Sequence, residues 1–224
     1  MLRVAVTLVV VCVAGVLVAA CGGSATVGGG AAQLASEQAA PGCKQIEKPR
    51  PREKQHLSEP NVTVDQNKSY RAQVLTNCGE FTILLASKRA PKTVGSFVSL
   101  AQQGFYDGLT FHRVVNGFVV QGGDPQGSGV GGPGYAVVEK PPANLQYTRG
   151  IVAMAKTSAE KPGTSGSQFF IVTGEDAQLP PEYALLGKVI SGMETIDRIE
   201  TVRTNSQDQP LQPVVMRQVK ILAE

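Results

Sequence analysis

Short β-type segments, separated by glycine and proline clusters, fill most of the chain after residue 70. The first two segments, around Val74 and Ile83, alternate apolar with polar side chains on either side of a turn at residues 77–80, which predicts a β-hairpin. Further segments of this kind lie at residues 110–115, 118–121, 151–155, 168–173, 184–190 and 214–221. The regular strand-helix-strand alternation of a parallel sheet is absent. The pattern therefore predicts an antiparallel barrel or sandwich.

Two stretches of this region have the periodicity of an amphipathic helix. In residues 91–103 the apolar side chains recur on one helical face, and Pro91 and Gly104 suit the first turn and the stop. The second stretch follows Ser191, which with Glu194 has the spacing of a capping box. The sequence thus predicts a mainly β domain with two short helices.

An apolar run without charge, residues 4–18, follows Arg3 at the N-terminus. The run is shorter than the about twenty residues that a membrane-spanning helix needs, so it is typical of a signal peptide. Small residues precede Cys21, and this arrangement resembles the lipobox of bacterial lipoproteins, in which the cysteine thiol receives a diacylglycerol. We therefore expect residues 1–20 to be a lipoprotein signal peptide and Cys21 to be the lipidation site. Secretion with a chance cysteine and an uncleaved anchor are the alternatives.

Residues 21–60 lack the composition of a folded core. Residues 22–42 consist largely of Gly, Ala, Ser and Gln, and residues 44–59 are charged and interrupted by prolines. Such segments stay disordered or semi-extended because they bury too little apolar surface to offset the loss of chain entropy. We expect residues 21–60 to be a flexible, lipid-anchored tether and residues 61–224 to be the folded domain. The expected location is the bacterial cell envelope, on the outer face of the cytoplasmic membrane.

Charge and cysteine content argue against several classes of function. The formal charge is +3, and no basic stripe with interleaved aromatic residues marks a nucleic-acid interface. Cys12 lies in the predicted signal peptide, which leaves Cys43 and Cys78 besides the predicted lipidation site. In an oxidising compartment these two can form a disulfide or remain free thiols. The sequence has no CxxC pair and no Cys/His cluster, so we expect no metal site.

The motifs of hydrolases and nucleotide-binding proteins are also missing from the sequence. Two histidines are present, His56 in the predicted tether and His112, and there is no Gly-x-Ser-x-Gly elbow. The glycine-rich residues 127–134 are not followed by Gly-Lys-Ser/Thr. They therefore predict a surface loop and not a phosphate-binding loop.

Two sequence blocks resemble one family closely. Residues 109–124 read LTFHRVVNGFVVQGGD and residues 166–173 read GSQFFIVT, and this pair of blocks is similar to the signature of the cyclophilins. The similarity covers about residues 68–222. It implies a mainly β fold, a closed eight-stranded antiparallel barrel capped by two short helices. It also implies an enzyme, a peptidyl-prolyl cis–trans isomerase that needs no cofactor.

The resemblance assigns roles to individual residues. Arg113 matches the essential arginine, Gln121 the glutamine that orients this arginine, and Phe118 part of the apolar wall around the substrate proline. These three are the expected catalytic residues. The expected substrate-binding residues are His112, Val119, Ala155, Lys156, Gln168, Phe170, Leu179 and Tyr183. Val119 and Lys156 stand where many members have methionine and asparagine, a departure that concerns substrate preference and not the proline chemistry.

The expected partners are exported proline-containing polypeptides, together with the membrane through the lipid on Cys21. We expect no nucleic-acid partner and a monomeric protein. A binding module or envelope chaperone would instead hold proline-containing segments in the same pocket with little turnover, and a structural lipoprotein would carry an inert barrel. Arg113 and Gln121 favour the isomerase, since holding a proline ring requires only the apolar wall.

Overall fold

The structure, a computed structural model, describes residues 42–61 and 64–224. In these residues the helices are α1 (Pro91–Gln102) and α2 (Met193–Glu200). The strands are β1 (Tyr70–Thr76), β2 (Gly79–Leu85), β3 (Thr110–Val115), β4 (Val119–Asp124), β5 (Val137–Val138), β6 (Ile151–Met154), β7 (Thr164–Ser165), β8 (Phe169–Val172), β9 (Leu185–Ser191) and β10 (Met216–Ala223). Within this part of the chain, neither helix has the length and apolar content that a membrane span requires. The predicted mainly β fold with two helices is confirmed.

Eight strands form one antiparallel sheet in the order β10-β1-β2-β9-β6-β8-β4-β3, and β5 pairs with β7 in a separate ribbon. The sheet curls so that its two edges meet at an isolated bridge between Thr110 and Val215. The Phe111 N–H donates to the Val214 carbonyl over 2.9 Å beside this bridge. This single bridge does not pair β10 with β3, so the prediction of a closed barrel is wrong. Strand β10 pairs along its length with β1, so only the residues just before β10 reach β3, and the sheet remains an open half-barrel.

The inner face of the sheet carries the main apolar core. The ring centroids of Phe97, on α1, and Tyr106 lie 4.8 Å apart. The Phe169 ring packs edge to face against the rings of Phe97 and Phe111. Helix α2 contributes Ile196 to the same core. Both helices therefore cover this face, which leaves the other face of the strands for a site.

A second, smaller apolar cluster, the outer cluster, lies on the opposite face of β4, β6, β8 and β9. Successive residues of a strand point to opposite faces. On β8, Phe169 belongs to the core and its neighbour Phe170 to the outer cluster. The buried members of the outer cluster are Ala90, Val119, Leu145, Tyr147, Ala153, Phe170, Val172 and Leu185. Half-buried side chains border this cluster, so its surface is open to a ligand.

Residues 43–57, which the sequence assigns to the flexible tether, run along the domain in the structure; we call them the strap. At one end, Cys43 is joined to Cys78 by a disulfide, and the Lys44 N–H donates to the Asn77 carbonyl over 2.7 Å. The segment has no core of its own. It is held instead by the disulfide, by backbone hydrogen bonds and by the half-buried Arg52. The predicted signal peptide, Cys21 and the first part of the tether lie outside the described residues.

Candidate active site

Four side chains form a row across neighbouring strands on the outer face. Arg113 on β3 pairs with Gln121 on β4, Gln121 pairs with Phe170 on β8, and Phe170 pairs with Ala153 on β6. Directly opposed residues of antiparallel strands place their side chains on the same face. The sheet register therefore brings a cation, an amide and an aromatic ring side by side, although they are far apart in the sequence.

A pocket of about 170 Å³ opens at this row. It is lined by Arg113, Phe118, Val119, Gln121, Ala155, Lys156, Phe170, Leu179 and Tyr183. Every lining residue belongs to the catalytic or substrate-binding set expected from the sequence. The remaining two members of that set lie beside the pocket: Gln168 lines an adjoining pocket of about 150 Å³, and His112 is buried behind Arg113.

Arg113 is half-buried and contacts two side chains. Its Nε lies 3.5 Å from Oδ2 of Asp208, and its Cζ lies 6.0 Å from the ring centroid of Phe118. The sequence led us to expect Gln121 to orient the arginine. Gln121 instead donates from Nε2 to Oε1 of Gln168 over 3.0 Å, because Gln168 presents an acceptor beside it. In the structure, the side chain that pairs with the guanidinium is Asp208.

Asp208 is the site residue that the sequence analysis missed. It lies in the loop between α2 and β10, with φ of 61°, a left-handed conformation that Asp and Asn tolerate better than most residues. Its N–H donates to the Asn205 carbonyl over 3.1 Å, and its own carbonyl accepts the Val114 N–H over 2.8 Å. The loop is thereby attached to β3 next to Arg113. The motif Asn205-x-x-Asp208 indicates a turn, but nothing in it indicates the neighbouring strand.

Gln168 links the glycine-rich loop to Gln121, which lines both pockets. Its Nε2 donates to the carbonyl oxygens of Gly129 and Gly131 over 3.0 and 2.9 Å, while its Oε1 accepts from Gln121. Both N–H groups of the amide and its oxygen thus have partners, so the amide orientation is defined. The carbonyls belong to loop 125–134, whose glycine-rich residues 127–134 the sequence identified only as a surface loop. This loop forms the polar wall beside the proline-sized pocket.

His112 occupies a β-bulge. Phe111 pairs with Gly122 and Arg113 pairs with Gln121, so His112 is the extra residue on β3. Neither ring nitrogen has a hydrogen-bond partner among the described residues. Burial lowers the pKa of His112; the carboxylate of Asp124 opposes this shift and the charge of Arg113 adds to it. The imidazole is therefore neutral at physiological pH.

Asp124 is the carboxylate that faces this histidine. Burial alone would raise its pKa, but hydrogen bonds from the backbone N–H groups of Gln126, Gly131 and Gly129, together with nearby His112, hold the pKa below its usual value. Asp124 therefore stays ionised and anchors the start of loop 125–134. Its role in the structure is to fold the loop, and it does not line the pocket.

The rim of the pocket is built around Lys156 and Tyr183. The side chain of Lys156 is 4% exposed, its Nζ lies 3.1 Å from Oε2 of Glu182, and Nζ lies 5.4 Å from the ring centroid of Tyr183. The hydroxyl of Tyr147 donates to the Tyr183 carbonyl over 2.6 Å. Burial is the main cause that raises the pKa of Tyr147 to about 12, so this hydroxyl remains a donor at neutral pH.

The arrangement suits a small apolar ring bound next to a fixed cation. Phe118, Val119, Phe170 and Leu179 supply an apolar wall, and Arg113 supplies donors at its edge. A guanidinium stays protonated at physiological pH and accepts no proton, so it acts as a donor and not as a general base. The site is therefore fitted to bind and polarise a ligand.

Known proteins are similar to this chain in sequence and in fold. The family model of the cyclophilin type peptidyl-prolyl cis-trans isomerases matches residues 71–221. The probable peptidyl-prolyl cis-trans isomerase A of Mycobacterium leprae is 39% identical over 168 residues, which cover 67% of this chain and 91% of that protein. The peptidyl-prolyl cis-trans isomerase-like 1 of Aspergillus fumigatus is 39% identical over 153 residues, with 66% and 93% covered.

Solved structures agree. A cyclophilin type peptidyl-prolyl cis-trans isomerase from Cryptosporidium parvum is 34% identical, with a TM-score of 0.65 and coverage of 69% of this chain and 98% of that chain. The same protein solved in the presence of the dipeptide Ala-Pro has a TM-score of 0.64. The chain therefore belongs to the cyclophilin-type peptidyl-prolyl cis–trans isomerases. The predicted family and enzyme activity are confirmed.

Proposed function

We propose that the enzyme accelerates rotation about X–Pro bonds of exported polypeptides outside the bacterial membrane, with the proline ring in the outer pocket and Arg113 as the catalytic donor. The observation that carries this proposal is the row of Arg113, Gln121 and Phe170 across three neighbouring strands at one pocket. The Cryptosporidium relative was solved in the presence of Ala-Pro, a dipeptide with the same ring.

The chemistry requires selective stabilisation of the twisted bond. X–Pro rotation breaks amide resonance, with a barrier of about 20 kcal/mol and times of tens of seconds or more. As the bond twists, the prolyl nitrogen regains a lone pair, and a donor aimed at that lone pair stabilises the transition state more than the ground state. Asp208 contacts Nε of Arg113. The donors left for the substrate are therefore the terminal N–H groups of the guanidinium.

One hydrogen bond is not enough for catalysis of this size. To raise the rate from about 10⁻² to about 10² per second, the enzyme must lower the barrier by about 5.5 kcal/mol. A hydrogen bond to a charged group contributes about 1.5–3 kcal/mol. The remainder comes from holding the proline ring against Phe118, Phe170 and Leu179, out of water, while the preceding carbonyl turns.

The test is Arg113→Ala in a protease-coupled isomerisation assay on the full chain. We expect kcat/KM to fall about a hundredfold, as on loss of a preorganised transition-state donor. Circular dichroism should be unchanged, because the side chain is half-buried at the surface of the sheet. A loss of only about twofold in a folded variant would contradict the role of Arg113. Peptide binding without turnover in the wild type would instead favour a binding module or chaperone.

The envelope location is part of this proposal and is supported by the sequence around Cys21. We expect Cys21→Ser to yield protein that leaves the membrane fraction in detergent-free buffer, because several acyl chains on one residue give durable anchoring and the variant lacks them. Cys12→Ser, inside the predicted signal peptide, is the matched control and should remain in membranes. Retention of Cys21→Ser in washed membranes would show that another element anchors the protein.

A further inference from the structure

Arg52 is the main side-chain anchor of the strap. Its guanidinium donates to the carbonyl oxygens of Phe105, over 2.7 Å, and Asp107, and it lies 6.0 Å from the ring centroid of Phe105. The backbone N–H of Arg52 donates to the Pro125 carbonyl over 2.8 Å. Hydrogen bonds from an ionised donor are stronger than those between neutral groups. This single residue therefore ties the strap to the domain and to the first residue of loop 125–134.

The strap also contacts the last residues of the same loop. The Leu57 N–H donates to the Pro133 carbonyl over 2.8 Å, and the Leu57 side chain packs against the core. Gly134 has φ of +98°, and a Cβ at this position would lie 2.7 Å from the carbonyl oxygen of Gln55. Only glycine allows the two backbones to approach so closely. The strap thus holds both ends of loop 125–134.

Between these two ends, the loop presents the acceptors for the groove. The carbonyl oxygens of Gly129 and Gly131 both accept from Nε2 of Gln168, whose Oε1 accepts from Gln121. Gly129, Gly131, Gln168 and Gln121 line the pocket of about 150 Å³ that adjoins the proposed proline pocket. The strap is therefore connected to the groove through the loop: hydrogen bonds hold the loop's two ends to the strap, and hydrogen bonds from Gln168 hold its middle to the groove.

We infer that the strap is a positioning element of the isomerase: through Arg52 and Leu57 it holds the ends of loop 125–134, and the loop in turn orients Gln168 in the peptide groove. This inference rests on the proposed function, since it takes the outer pocket as the peptide site. Arg52 does not line either groove pocket, so it is a positioning residue and not a catalytic one. Because the loop shapes the groove beside the proline pocket, loosening it weakens peptide binding more than it slows bond rotation.

The experiment measures KM and kcat separately for Arg52→Ala in the full chain, with an X–Pro peptide as substrate. We expect KM to rise about fivefold, within the range of coupling through a contact network, while kcat stays within about twofold. Arg52→Lys should recover part of the loss, because an ammonium can reach one of the two carbonyls. Gly134→Ala disturbs the same loop from its other end and should raise KM in the same direction.

Arg50→Ala is the matched control, since Arg50 is an exposed arginine of the same strap. It should leave KM and kcat unchanged. If Arg52→Ala and Gly134→Ala are both folded at the assay temperature and bind the peptide like the wild type, the strap only stabilises the fold and the inference is wrong. Arg113→Ala in the same assay separates the two proposals. Full activity of that variant overturns the proposed site, whereas its loss together with a normal Arg52→Ala overturns only the strap inference.

Discussion

Two adjacent phenylalanines on β8 show how one strand serves two purposes. Phe169 is 0% exposed and packs in the aromatic core on the inner face, whereas Phe170 is 4% exposed and lines the pocket on the outer face. Burial alone hardly distinguishes them. Their neighbours do, because Phe169 is enclosed by rings from α1 and β3, while Phe170 borders an opening of about 170 Å³. Because strand residues alternate between faces, Phe169 stabilises the core and the next residue, Phe170, lines the pocket.

The inner face is covered by the two helices, and its apolar side chains are buried. The outer face is apolar as well, but its rim consists of Arg113, Gln121 and Lys156, and these polar groups are all engaged by neighbours. An apolar floor with a few positioned polar groups at its rim is the usual construction of a ligand site. The difference between the faces therefore lies in what surrounds the apolar residues, and variants at paired positions can test it.

The largest expected difference is between Phe169→Ala and Phe170→Ala. Phe169→Ala leaves a cavity in a closed core and should lower the free energy of unfolding by about 3–5 kcal/mol. Phe170→Ala enlarges a pocket already open to solvent, so it should cost less stability but weaken proline binding and turnover strongly. Denaturant unfolding and the isomerisation assay measure the two effects. Equal loss of stability in both variants, with activity retained in Phe170→Ala, would contradict the division between the faces.

A smaller effect is expected at His112, which the bulge on β3 places between Phe111 of the core and Arg113 of the site. The pKa of His112 is lowered by burial, so the unfolded chain binds its proton more readily than the folded protein does. Above the unfolded pKa of about 6.5 the ring is neutral in both states, and the buried His112 costs no stability by protonation. As the pH falls below this value, protonation of the unfolded chain lowers the free energy of unfolding. We expect a lower melting temperature at pH 5.5 than at pH 7.5.

The control for this prediction is His112→Phe. This substitution removes the titrating ring. It also removes the two ring nitrogens, which are buried without a hydrogen-bond partner among the described residues. The melting temperature of the variant should depend less on pH across this range, with the remaining change due to Asp124 and other carboxylates in both proteins. An identical pH dependence in wild type and variant would show that the pKa of His112 is the same in the folded and the unfolded chain, which would contradict a pKa lowered by burial.

How far the sequence predicts this protein depends on where each residue lies. The pocket residues on β3, β4 and β8 belong to contiguous family blocks, and strand alternation assigns their faces, so they could be named without a structure. The hydrogen-bond partner of Gln121 could not be predicted, because both Gln168 and Arg113 are suitable partners. Only the three-dimensional arrangement shows that the partner is Gln168. The ordered course of the strap along the domain could not be predicted from the sequence either. Its polar composition is typical of disorder, and it is held by backbone hydrogen bonds, one arginine, Leu57 and the disulfide of Cys43 with Cys78.

The contact of Asp208 with Arg113 could not be predicted from the sequence. Variants of Asp208 should give the smallest effect among these tests of the outer face. Its proximity to Arg113 depends on the curl of the sheet, which brings the loop before β10 to the edge strand β3. The two side chains are 38% and 45% exposed, so the ion pair is screened by solvent. Exposed pairs contribute at most about 1 kcal/mol, which is about fivefold in a rate or binding constant.

Asp208→Gly and Asp208→Asn separate charge from geometry at this position. Glycine accepts the left-handed backbone but removes the carboxylate, so Arg113 regains rotamer freedom, and kcat/KM should fall by less than about fivefold. Asparagine also tolerates this backbone and keeps an oxygen that accepts from Nε, so Asp208→Asn should stay within about twofold of the wild type. Higher activity in both variants would contradict a positioning role, because it would mean that the carboxylate draws the guanidinium away from the substrate.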